Sequence, residues 1–388
     1  MPIEFSERLL ALPPYLFKEL DRLRDEARER GMSIIDLGVG DPDRPTPNRI
    51  IAALAKAAEN AENHQYPVYS GMNSFLGVVA NWYKERHGVT LDPKTEVCSL
   101  IGSKEGLAHF PLAFVNPGDV TLVPEPAYPV YSSSTLFAGG KAYYMPLLEK
   151  NGFWPDYKAV PADVLKKAKI IWVNYPNNPT GASTTLERYS ELIEFARRND
   201  LIVVSDAAYS EVTWNDRPHP SALEVPGAKD VVIEFHSLSK TYNMTGWRVG
   251  WAAGGAKQIR GLGLVKSNID SGVFQAVQWA AMEALEGPQD CVKSMGQLYK
   301  ERRETLIKGL TKAGLEVFPT EYTFYVWLKA PKGLTSAEFA SRVLNEAGVV
   351  ITPGNGFGPS GEGWARIALV QEASTLSEAA ERIGSLKF

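Results

Sequence analysis

Lys169-Ile170-Ile171-Trp172-Val173-Asn174-Tyr175 runs into Pro176-Asn177-Asn178-Pro179-Thr180-Gly181, and Leu201-Ile202-Val203-Val204-Ser205-Asp206 runs into Ala207-Ala208-Tyr209. Both stretches are apolar on consecutive residues and then turn polar. A strand buried on one face alternates, whereas one buried on both faces does not, so these runs predict central strands of a mostly parallel sheet covered by helices. Between them Leu186, Tyr189, Leu192, Ile193 and Ala196 recur at helical spacing, which predicts a crossover helix over 186–199. The pattern extends outward. Further strands are expected at 97–102 and 119–124 upstream, and at 231–237 and 248–253 downstream. The expected fold class is α/β.

Towards the C-terminus the pattern changes. Helical stretches near 296–313, 335–347 and 374–385 flank strands near 324–328 and 364–369, an α+β arrangement. The stretch 15–30 reads as an amphipathic helix, and 36–47 is a Gly/Pro-rich connection. The expected organisation is a large domain over 45–280, a small C-terminal domain over 281–388, and an N-terminal segment, 1–44, packing with the small one.

The 388 residues carry 41 basic and 45 acidic side chains, a net charge of −4, and are 44% hydrophobic. That composition excludes a disordered chain. Without a basic excess there is nothing to displace counterions from a phosphate backbone, so no nucleic-acid partner is expected. No apolar run reaches about 18 residues, and the N-terminus lacks a basic start before an apolar stretch, so neither a membrane span nor a signal peptide is expected. Cys98 and Cys291 are too few for a disulfide framework. The five histidines show no ligand spacing, so no metal is expected. These features together predict a cytoplasmic enzyme.

In open α/β sheets ligands bind beyond the carboxyl ends of the strands. There the sequence delivers Asn178 after one strand, Asp206 and Tyr209 after the next, Ser237, Ser239 and Lys240 after a third, and Arg248 eight residues beyond the lysine. Taken singly, a lysine is ordinarily solvated and an aspartate after a strand ordinarily caps a helix. As a set they match what pyridoxal phosphate needs. An amine bonds the aldehyde, a carboxylate keeps the ring nitrogen protonated, and cations and hydroxyls hold the phosphate. Upstream, Ile101-Gly102-Ser103-Lys104 follows a strand and opens a helix, an arrangement whose backbone N–H groups form an anion site.

Asn177-Asn178-Pro179-Thr180-Gly181, Asp206-x-x-Tyr209 and Ser237-x-Ser239-Lys240-x(7)-Arg248 resemble the signatures of class I/II, fold-type I pyridoxal-phosphate-dependent aminotransferases, and the resemblance covers nearly the whole chain. It implies that Lys240 is the Schiff-base lysine and the base that moves the substrate's proton, and that Asp206 pairs with the ring nitrogen. Asn178 and Tyr209 would bond the ring's 3′-oxygen, and Tyr128 would stack on the ring. Ser103, Lys104, Ser237, Ser239 and Arg248 would bind the phosphate. Arg366, inside Trp364-Ala365-Arg366-Ile367-Ala368-Leu369, resembles the arginine that clamps the substrate α-carboxylate; a strand-borne guanidinium between apolar residues is costly unless paired. Gly40 would contact the same carboxylate, Tyr15 would close over the site, and Tyr69 would reach a neighbouring subunit's phosphate, implying a homodimer with shared sites.

Within the family, Leu37-Gly38-Val39-Gly40-Asp41-Pro42, His64-Gln65-Tyr66-Pro67 and Thr241–Arg248 are most similar to the LL-diaminopimelate aminotransferases. The implied reaction converts LL-2,6-diaminopimelate and 2-oxoglutarate to tetrahydrodipicolinate and L-glutamate, a step of lysine biosynthesis. Alanine-, aspartate- or glutamate-type transamination, and C–S β-elimination on the same fold, are the alternatives. One departure stands out: Phe274 or Gln275 falls where the better-characterised diaminopimelate enzymes carry a polar Asn.

Overall fold

The twelve strands found among the described residues are β1 Ile35–Asp36, β2 Val97–Leu100, β3 Val120–Glu125, β4 Lys141–Pro146, β5 Ala168–Asn174, β6 Ile202–Asp206, β7 Val232–Ser237, β8 Gly250–Gly254, β9 Tyr325–Lys329, β10 Val349–Val350, β11 Thr352–Pro353 and β12 Trp364–Ala368. The structure, a computed structural model, describes residues 3–12, 16–215 and 218–388.

Seven strands form one sheet in the order β2-β8-β7-β6-β5-β3-β4. Strands β4, β3, β5, β6 and β7 run parallel, and β8 runs antiparallel to both β7 and β2. Ile171 and Val173 of β5 enter the core formed with helices Asn73–His87 and Leu186–Arg198. Ile170 and Trp172 enter the opposite core, with helices Ser103–Phe114 and Ala256–Ile269. Burial on both faces is the physical reason these strands read as unbroken apolar runs. The register aligns their carboxyl ends, with Asn174 beside Asp206, Asp206 beside Phe235 and Ser237 beside Gly250.

The sheet is mostly parallel as expected, and two of its features lay outside the expectation. β4 is an edge strand with mostly exposed or half-buried side chains, so it lacks the doubly buried signature of its neighbours. The reversal at β8 follows from its connection. Residues 238–249 hold only short helical turns, so the chain returns beside β7 without the crossover helix that a parallel strand needs. That short return carries both Lys240 and Arg248.

A second core gathers β9 and β12 with helices Asp290–Lys312, Ser336–Ala347 and Ala373–Gly384. Here β11, β12 and β9 form an antiparallel sheet, and β1 pairs with β10, Ile35 beside Val349. The N-terminal connection is thereby fastened to the C-terminal part before it crosses towards the large sheet. Among the described residues no helix is long and apolar enough to cross a membrane.

Candidate active site

At the carboxyl edge of the large sheet lies a cavity of about 650 Å³. Gly40, Ser103, Lys104, Tyr128, Asn178, Asp206, Tyr209, Ser237, Ser239, Lys240, Arg248 and Arg366 all line it. Tyr69 does not; it lies elsewhere with 40% of its surface exposed. Tyr15 lies outside the described residues.

One end of the cavity is built for an anion. Gly102 precedes helix Ser103–Phe114 with φ +73°, and a Cβ there would collide with the guanidinium of Arg248. Only glycine satisfies both the left-handed backbone and the close approach. The first helical amides, at Ser103 and Lys104, have no intrahelical acceptor and carry the helix's partial positive charge. Arg248 itself sits at φ +52°, an unfavourable conformation for a side-chain-bearing residue. Its Nη1 donates to Thr245 O at 3.0 Å and its Nη2 to Ile101 O at 3.4 Å, so the fork is aimed by two carbonyls. Ser237 caps the next turn, its Oγ accepting from Ser239 N at 3.2 Å.

Elsewhere in the cavity Asp206 is buried and accepts from Tyr131 Oη at 2.7 Å and from Ala208 N at 3.3 Å. Burial pushes its carboxyl up to about 6, and the Tyr131 hydroxyl pulls against that. Asn174 ties the strand ends together, its Nδ2 donating to Asp206 O and its Oδ1 accepting from Asn178 N, both at 2.8 Å.

Lys240 follows β7 on the short helix Leu238–Thr241, and its Nζ donates to Gly40 O at 2.9 Å. Burial pushes this ammonium down to about 8; Arg366 and Arg248 add to the effect and Asp41 opposes it. Arg366, on β12, is buried, and its Nη1 donates to Asn178 Oδ1 at 2.8 Å and its Nη2 to Gly38 O at 2.6 Å. Its guanidinium also lies 4.3 Å from the Tyr325 ring and 4.8 Å from that of Phe357. Tyr209 Oη meets Tyr325 Oη at 3.0 Å.

Tyr325 and Tyr131 escaped the sequence reading. Tyr325 sits among apolar strand residues, where an aromatic is ordinarily core, and Tyr131 opens a helix ahead of a run of serines; the signal lay in the hydroxyl, which needs a partner once buried. Asp21 and Arg24, from helix Leu16–Glu29, also line the cavity and form an ion pair at 2.8 Å.

The family model for aminotransferase class I and II matches residues 32–383. The chain belongs to that family, and it is a pyridoxal 5′-phosphate-dependent aminotransferase. It is 58% identical over 99% of its length to all of an LL-diaminopimelate aminotransferase of Aquifex aeolicus, and 57% identical to one of Syntrophobacter fumaroxidans, covering 99% of each chain. Among solved structures, a probable N-succinyldiaminopimelate aminotransferase of Thermus thermophilus superposes with a TM-score of 0.91 at 40% identity, covering 95% of this chain and 99% of that one.

The residues present fit the cofactor. The glycine-only cradle at Gly102, two amides at a helix start, Arg248 and two serines suit a phosphate, while a buried carboxylate, destabilised until a cation pairs with it, suits a ring nitrogen able to hold a proton.

Proposed function

We propose that this chain transfers the amino group between LL-2,6-diaminopimelate and 2-oxoglutarate, giving tetrahydrodipicolinate and L-glutamate by a ping-pong cycle in lysine biosynthesis. The observation that carries this reading is identity of 50–58% along essentially the whole chain with proteins named for that activity.

When bound, the cofactor supplies an aldehyde that captures the substrate's amine and a protonated ring that draws electron density from its Cα. The protein's residues do the rest. Asp206 pairs with the ring nitrogen and keeps it protonated, and Tyr131 keeps that carboxylate oriented and more acidic than burial alone would leave it. Asn178 and Tyr209 would hold the ring's 3′-oxygen, and Tyr128 would pack against the ring. Ser103, Lys104, Ser237, Ser239 and Arg248 would hold the phosphate. Arg366 presents its fork to the substrate α-carboxylate, with Gly40 lending backbone on the same side. Lys240 Nζ is the base that takes the Cα proton and returns it. Its depressed pKa of about 8 leaves a usable neutral fraction near pH 7, where an ordinary lysine has almost none.

The active form is a homodimer in which Tyr69 serves the partner's phosphate. Its exposure, alongside exposed Tyr66, Val68 and Phe274, supports this reading, because large apolar side chains exposed close together are what a subunit contact would cover. The large unit spans 45–280, with 1–44 joined to 281–388; the second core, drawn mostly from residues after 290, and the β1–β10 pairing support this, while helix Gln275–Glu286 carries the large core a few residues past 280. The compartment is the cytoplasm, where Cys98 and Cys291, both free thiols, stay reduced.

The test is a single-turnover half-reaction of the purified pyridoxal form with LL-diaminopimelate, L-glutamate, L-alanine and L-aspartate in turn, following conversion to pyridoxamine phosphate. Fast conversion with the first two and little with the others is expected. Preference for alanine or aspartate would discard the proposed substrate and keep the aminotransferase chemistry.

A further inference from the structure

We infer that Lys266 is a positioning residue whose buried ammonium couples the phosphate cradle to the segment that carries Tyr69. The inference rests on the reading of the cavity and of the shared dimer given above.

Lys266 lies on helix Ala256–Ile269 with its side chain fully buried. Its Nζ sits 3.0 Å from Glu105 Oε2 and 3.0 Å from Asp270 Oδ2. Burial opposes its charge, but the carboxylates outweigh that and hold it above the ordinary lysine range. Each carboxylate also grips backbone. Glu105 Oε2 accepts from Ile101 N at 3.0 Å, and Asp270 Oδ1 accepts from Gly272 N at 2.8 Å.

Those two peptides lead to opposite functional elements. Ile101 immediately precedes Gly102, and its carbonyl accepts from Arg248. One residue is thus held at its N–H by Glu105 and at its C=O by the guanidinium that faces the anion. Gly272 has φ +86°, and a Cβ there would lie 2.8 Å from Val68 O and 3.1 Å from Tyr69 Cα. It is therefore packed directly against the Tyr69 backbone. A single cation fixes two acids, and the acids fix the two loops.

A purely space-filling role does not account for this cluster, because apolar residues of equal volume would avoid the desolvation cost of a fully buried ammonium and two half-buried carboxylates. They could not accept hydrogen bonds from either loop. A metal centre does not account for it either. Glu105, His109 and Asp270 bring ligand-type atoms within 4.8 Å of one another, but the ammonium already lies between the two carboxylates and would repel a second cation.

The experiment titrates the apo-protein with pyridoxal 5′-phosphate and, separately, with phosphate-free pyridoxal, and measures self-association by sedimentation equilibrium. In Lys266→Met the Kd for the phosphate form should rise about tenfold or more while that for pyridoxal stays within about twofold, and the dimer dissociation constant should rise by a similar factor. Glu105→Gln should weaken phosphate-dependent binding alone, and Asp270→Asn dimerisation alone. These two variants keep the side-chain volume and decide the matter should Lys266→Met not fold. Equal weakening of both ligands, or of neither, would overturn the proposal. A monomeric wild type would overturn the shared-site reading, while the contrast between the two ligands would still decide whether Lys266 holds the cradle.

Discussion

Arg366 Nη1 donates to Asn178 Oδ1 at 2.8 Å, which joins the group proposed to grip the substrate's carboxylate to the group proposed to touch the cofactor's ring oxygen. The two side chains come from β12, in the small antiparallel sheet, and from the turn after β5, in the large sheet. Substrate docking and cofactor tuning therefore share a hydrogen bond, and the two residues should not behave independently. Arg366→Lys and Asn178→Ala should each raise KM for amino acid and oxo acid alike, and the double variant should fall short of the product of the two effects by a coupling of about 0.5–3 kcal/mol. Steady-state kinetics on the four proteins of the cycle measure it. Strict additivity would mean the bond does not survive when substrate is bound.

Lys240 should be identifiable without cofactor or substrate. A buried ammonium held down to about 8 becomes nucleophilic well before exposed lysines, whose midpoint is about 10.4. Apo-protein treated with limiting trinitrobenzenesulfonate should show one lysine reacting with a midpoint near pH 8, separated by peptide mapping from the α-amino group, which reacts in the same range. The phase should be missing in Lys240→Ala. If no lysine titrates below pH 9, the electrostatic description of the site is wrong.

Most of this site was legible because three adjacent strands of the large sheet, β5, β6 and β7, run into polar and charged residues that together form a chemical set. Asn178, Asp206, Lys240 and Arg248 stand in order along the chain, and parallel strands bring their carboxyl ends to one edge whatever the details of packing. Arg366 stood out because a charged residue inside an apolar strand demands a partner. Tyr131 and Tyr325 gave no such signal, since a tyrosine in a short helix or an apolar strand is ordinary and its hydroxyl's partner is set by tertiary contact. The direction of β8 was hidden for a related reason: it depends on the short return over 238–249, whose apolar pattern does not encode the strand's sense.

Tyr325 supports two neighbours at once, its hydroxyl meeting Tyr209 and its ring lying under the Arg366 guanidinium. Tyr325→Phe keeps the ring and removes only the hydroxyl. The expected loss in kcat/KM is about 2- to 10-fold, the worth of one neutral hydrogen bond, with the KM for oxo acid little changed because the stacking on Arg366 survives. Tyr325→Ala should also raise that KM. Identical kinetics for the two variants would show that the ring does not support Arg366.

Asp206 sets stability against function in a way that can be read from the apo-protein. Its carboxyl is pushed from 3.8 to about 6 by burial, so between those values the native state holds a proton that the unfolded chain has already released. Stability from this group is therefore lost as pH climbs through that window, and the loss is complete above about 6. Asn carries no charge and escapes it, while its carbonyl can still accept from Tyr131. Apo Asp206→Asn should thus exceed apo wild type in urea-unfolding stability by about 1–3 kcal/mol at pH 7.5, with a smaller gap at pH 5. The same substitution should weaken cofactor binding and abolish most turnover, since nothing then holds the ring nitrogen's proton. A gap that does not change with pH would show that the carboxylate is not strained in the empty site, and that its acidity is set only once the cofactor is bound.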